Sequence, residues 1–81
     1  MQTKDIEQLI EAHLPDSKAY VEGDGTHFNA LVVSPHFAGL SRLRKQQLVY
    51  EAVQTYLRDG SLHALSIKAI TPEEWENIDH T

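Results

Sequence analysis

The stretch from His27 to His63 reads HFNALVVSPHFAGLSRLRKQQLVYEAVQTYLRDGSLH, and its reading decides the fold. It opens on a run, His27 to Val33, that alternates at first and closes as the solid apolar block Ala30-Leu31-Val32-Val33. That pattern suits a central strand flanked on both edges of a sheet. Ser34-Pro35 ends the strand, since proline cannot donate to a ladder. Pro35 to Leu40 then forms a short connector with Phe37 as its anchor and Gly39 as its bend. Ser41 can cap the free amides of a helix, which is expected to run through Arg58 and close at Gly60. Val49, Ala52, Val53, Tyr56 and Leu57 give that helix its apolar face. A second apolar strand, Leu62 to Ile70, follows. A strand, a helix and a strand in one sheet predict a right-handed crossover between parallel neighbours.

Outward from this unit, Ile6, Leu9, Ile10, His13 and Leu14 keep helical spacing behind a candidate N-cap at Thr3, and Pro15 stops that first helix. Lys18 to Glu22 alternates, with Ala19 and Val21 on one side and Lys18, Tyr20 and Glu22 on the other, as a half-buried strand does. Gly23-Asp24-Gly25 turns the chain, so this strand should pair with the His27 strand as an antiparallel hairpin. After the last strand, Thr71-Pro72-Glu73-Glu74 supplies an N-cap, a proline at N1 and a glutamate at N3 for a short helix, with Trp75 packing back on the sheet. The expected order is α-β-β-α-β-α around a three-stranded mixed sheet, an α+β fold in one domain over residues 1–81.

Composition bounds the function. Eighty-one residues with 41% hydrophobic and 23% charged side chains describe a soluble globular domain, too short to feed two cores. No apolar run approaches the ~18 residues of a spanning helix, and Met1 to Ala12 lacks the pattern of a secretion signal, so a cytoplasmic location without membrane partners is expected. A net charge of -5, from 12 acidic and 7 basic residues, argues against a protein that coats nucleic acid. The chain contains no cysteine, which excludes disulfides and any thiolate ligand of its own.

Two features carry chemistry. His27 and His63 each open a strand, and parallel neighbours begin at the same end of a sheet, so both imidazoles are expected at one rim. Each alone is an ordinary polar residue beside a turn. Together they can supply half of a four-ligand metal shell, which a cysteine-free chain completes with soft donors only from a partner. His13, His36 and His80 have no such pairing and read as ordinary polar residues. Secondly, Arg42, Arg44 and Lys45 place cations in the first helical turn, where the dipole disfavours each by ~0.3 to 1 kcal/mol. They are read either as a nucleic-acid or anion site or as a solvated face. Asp5, Glu7 and Glu11 look like helix surface, and no acid/base or nucleophile constellation, phosphate loop or HExxH is present. An enzyme is not expected.

In order and spacing, several segments resemble the BolA-like family, closest to its bacterial acid-stress members. They are His27-Phe28 leading to Leu31-Val32-Val33-Ser34, then Phe37-Ala38-Gly39, Leu48-Val49-Tyr50, Leu62-His63-Ala64-Leu65 and Thr71-Pro72-Glu73-Glu74-Trp75. The resemblance covers nearly the whole chain. It implies a KH-related fold with a helix-turn-helix element, and a non-enzymatic role in iron-sulfur cluster assembly and trafficking. It further implies a heterodimer with a monothiol glutaredoxin that shares a [2Fe-2S] cluster, the partner giving a cysteine and a glutathione thiol. On this side the ligands implied are His63, in the family's His-Ala motif, and His27. The isolated chain is expected to carry no cofactor and to be a monomer or weak homodimer. The chain departs from the family at Lys45-Gln46-Gln47, where many members carry Arg-His-Arg, which leaves Arg42 and Arg44 to sustain any nucleic-acid role.

Overall fold

Two strands of alternating residues and one solid apolar strand assemble into a three-stranded sheet of order β1-β2-β3. The computed structural model describes residues 1–78; His80 lies outside the described residues. The elements are α1 (Thr3–His13), β1 (Lys18–Gly23), β2 (His27–Val33), a 3-10 turn (Pro35–Phe37), α2 (Arg42–Arg58), β3 (Ala64–Ile70) and α3 (Pro72–Asn77). β1 pairs antiparallel with β2, Val21 opposite Ala30, and β2 pairs parallel with β3, Ala30 opposite Ile67. The central place of β2 explains its apolar block, because both of its edges and its inner face are covered.

Strand alternation sends Ala19, Phe28, Ala30, Val32 and Leu65 to one face, where α1 and α2 cover them with Ile6, Ile10, Val49 and Val53. Phe37 from the connector is fully buried in the same core, as its anchoring role required, and Gly39 bends the chain at φ +77°. On the opposite face Tyr20 of β1 stacks on Trp75 of α3, ring centroids 5.5 Å apart, so Trp75 does pack back on the sheet. The cap residues behave as the sequence implied. Ser41 Oγ accepts from the Arg44 amide, and Thr71 Oγ1 accepts from the Glu74 amide while Glu74 accepts from the Thr71 amide.

Both outer edges of the sheet are closed by side chains from a helix, four residues apart in each case. On β1, Glu11 accepts from the Ala19 amide at 3.0 Å and Glu7 from the Val21 amide at 2.9 Å. Four helical residues rise about 6 Å and two strand residues about 6.6 Å, so the two carboxylates fall in register with alternate edge amides. On β3 the polarity is reversed. Tyr50 donates to the Leu65 carbonyl at 2.9 Å and Gln46 to the Ile67 carbonyl at 3.5 Å. Exposed edges invite pairing with other chains, and these contacts occupy them.

Three expectations require correction. Glu7 and Glu11 are not idle helix surface; they are the β1 edge caps just described. The α1 N-cap is Gln2 rather than Thr3, because the Asp5 carboxylate accepts the Gln2 amide at 2.9 Å and draws the helix start back by one residue. β3 begins at Ala64, not Leu62: the Leu62 amide is spent on the Tyr56 carbonyl at 3.0 Å, an α2 contact that precedes the ladder. No helix among the described residues is long and apolar enough to cross a membrane.

Candidate metal centre at the sheet rim

His27 is the first residue of β2 and stands opposite Ala64, the first residue of β3. His63 immediately precedes Ala64. Neighbouring strands lie about 4.8 Å apart, so the register brings the two histidine backbones to the same rim of the sheet. Both side chains are exposed.

Each histidine is flanked by a buried apolar residue and by a turn closed with an aspartate. In the hairpin, Asp24 Oδ1 accepts from the amides of Thr26 and His27, both at 2.9 Å, and Phe28 is buried directly after His27. Gly23 lies so close that a Cβ there would strike the His27 carbonyl oxygen and the Phe28 ring. The His27 amide, then that of Thr26, holds the Asp24 carboxyl below its ordinary pKa, and a protonated His27 would add to the effect. In the second loop, Gly60 turns the chain at φ +84° and Asp59 Oδ1 accepts from the Ser61 amide at 2.8 Å. The Ser61 hydroxyl, then its amide, lowers the Asp59 pKa. Leu62 is buried just before His63, and Tyr50 fixes Leu65 just after it.

The four described histidines divide into two pairs. His13 Nε2 lies 3.3 Å from Glu51 Oε2, and His36 Nε2 donates to the Pro15 carbonyl at 2.8 Å, so both rings are spent on structure. The rings of His27 and His63 make no hydrogen bond among the described residues, which leaves their nitrogen lone pairs open to a ligand. They are the pair at the rim. No group of three or more His, Cys, Asp or Glu side chains capable of holding a metal ion occurs among the described residues. Two imidazoles therefore offer a half-shell and need donors from another molecule.

The three cations of the first turn of α2 do not form one patch. Arg42 and Lys45 line a cavity with Gln46, Lys68, Ile70 and Glu74, whereas Arg44 turns away and lies 3.9 Å from Glu51. Helical spacing accounts for the split: Arg42 and Lys45 are three apart and share a face, and Arg44 sits roughly 200° round from Arg42.

Comparison with known proteins agrees with this architecture. The family model described as BolA-like protein matches residues 3–74. The chain belongs to the BolA-like family. This BolA-like chain is similar to the acid stress protein IbaG of Escherichia coli strain K12, with 41% identity over 75 residues that cover 93% of the chain and 89% of the relative. A bolA protein homologue from Coxiella burnetii has the same fold, with TM-score 0.86, 42% identity, and coverage of 95% and 99% of the two chains. The BolA domain of SufE1 from Arabidopsis thaliana matches with TM-score 0.77 and 36% identity, over 89% and 93%.

Sequence reasoning about this BolA-like chain missed the contribution of Lys68 to the basic cavity, because along β3 it reads only as an outward polar residue. It also missed Gln46 and Tyr50 as edge donors. The signal for the latter was present in their four-residue spacing on the face of α2 that must meet β3.

Proposed function

We propose that this BolA-like chain is a non-enzymatic adaptor for iron-sulfur cluster assembly and trafficking that shares a [2Fe-2S] cluster with a monothiol glutaredoxin. The carrying observation is that the two histidines at one rim are the two whose rings have no structural duty. A [2Fe-2S] cluster brings irons that accept thiolate or imidazole donors. On this side the donors are His27 and His63. The cysteine-free chain supplies no thiolate, so the sulfur ligands come from the partner, a cysteine and a glutathione thiol. Asp24 sets the backbone of His27 by accepting its amide; Leu62 and Leu65, both buried, set the backbone around His63. The occurrence of a BolA domain within SufE1 suits a module that serves other proteins.

The same donor set ties the complex to acidity. A proton competes with iron for the imidazole nitrogen, so acid weakens this half of the shell. That coupling supports a role in acid-stress response, in line with the name of the IbaG relative. Mixing the chain with a cluster-loaded monothiol glutaredoxin should change the visible circular dichroism and give a heterodimer that persists only while the cluster does. A heterodimer of equal stability with the cluster-free partner would show a plain protein-protein module instead.

A further inference from the structure

At the far end of β3 from the histidine rim, a cavity of about 550 Å³ opens between the start of α2, the strand edge and α3. We propose that it binds a small phosphate-bearing molecule, gripped by Lys45, Arg42 and Lys68. Only 19% of the Lys45 side chain is exposed, yet its ammonium has no partner within hydrogen-bonding distance among the described residues: the carboxylate oxygen that pairs with it, Glu74 Oε1, is 3.9 Å away. An ammonium carries three donors, and a recessed one calls for acceptors. Glu74 does not supply them at bonding distance, and its Oε1 already accepts from the Thr71 amide at 3.0 Å and the Thr71 hydroxyl at 3.1 Å. Those two bonds, then Lys45 and Lys68, hold its carboxyl below the ordinary range.

Three cations thus line the cavity against one carboxylate, in a chain whose net charge is -5. Arg42 brings a planar fork that matches two phosphate oxygens, and the lysines bring point charges. Ile67, Ala69 and Ile70 give the cavity an apolar wall for the body of the ligand. The site does not rest on helix amides, since Ser41 already takes the amides of Arg44 and Lys45.

The charge pattern favours a compact anion over a nucleic-acid strand. A strand needs a basic track along its phosphates. Here the track is cut: Arg44 points away to Glu51, and the neighbouring helix α3 carries Glu73, Glu74 and Glu76.

The test is a titration of the full chain with inorganic pyrophosphate and, in parallel, adenosine monophosphate, followed through backbone amide resonances at constant chloride. Saturable shifts are expected at Arg42 to Gln46, Ile67 to Ile70 and Glu74, with the adenosine compound also reaching the Ile67 wall. Lys45→Gln should weaken binding about tenfold, the scale of one charge-assisted hydrogen bond, with Lys68→Gln also weaker and Arg44→Gln unchanged. Thermal melting of each variant verifies its fold. Shifts that fail to saturate would overturn the site, as would equal losses for Lys45→Gln and Arg44→Gln. So would a single-stranded oligonucleotide that displaces pyrophosphate and depends on Arg44, which would mark a nucleic-acid surface instead.

Discussion

The two loops that present histidines at the sheet rim are built alike in outline and differently in substance. The hairpin loop sets His27 through polar contacts at an exposed tip: one Asp24 oxygen gathers two amides, and Gly23 allows the strands to close. The loop after α2 sets His63 through the core, with Leu62 1% exposed and held to the Tyr56 carbonyl. His63 is therefore tied to the global stability of the domain. His27 is tied to a local turn that can be altered alone. A shared cluster held from this side has one ligand fixed by the core and one fixed by a turn.

Substitutions break this contrast in a graded way. Leu62→Ala removes a fully buried side chain and should cost about 2 to 5 kcal/mol, measured as a lower urea midpoint, so that the His63 side fails only as the whole domain weakens. Gly23→Ala should cost about 1 to 3 kcal/mol, because a Cβ 2.6 Å from Phe28 Cδ1 forces the hairpin open. Its signature is displacement of the Thr26 and His27 amide resonances while those of Leu62 to Leu65 stay in place; movement of both sets would show that the loops are not independent.

The smallest effect is acid sensitivity of the turns themselves. Asp24 and Asp59 are held below their ordinary value of 3.8, so their contribution is present above that value and is lost as pH falls through the lower folded values. The side-chain carboxyl carbon resonances of Asp24 and Asp59 should titrate with midpoints below 3.8. Loss of a cluster at mildly acid pH would then originate at the imidazoles or in the partner, not in these turns. A carboxyl midpoint at or above 3.8 would break that separation.

Much of this was legible in the sequence, for local reasons. Ser41, Gly60, Thr71 and Glu74 act on backbone within a few residues of themselves, so spacing alone reveals them. The apolar block of β2 announced a central strand, and parallel connectivity then placed His27 and His63 at one end. The edge caps were hidden because Glu7 and Glu11 gain their meaning from amides on β1, 14 and 8 residues onward, across a turn whose path the sequence does not dictate. Asp16 adopts a left-handed conformation in that turn, φ 67°, which favours Gly or Asn and is not signalled by its neighbours. The basic cavity was half legible: α2 offered Arg42 and Lys45, but only the packing of β3 beside α2 brings Lys68 to them.

The central claim is that His27 and His63 are both ligands. It is tested most directly by pulsed electron paramagnetic resonance of the reduced [2Fe-2S] complex with a monothiol glutaredoxin. Wild type should show couplings from two histidine nitrogens; His27→Ala and His63→Ala should each retain one, with the His63 variant losing the cluster faster. Unchanged nitrogen couplings and cluster lifetime in His63→Ala would contradict the account.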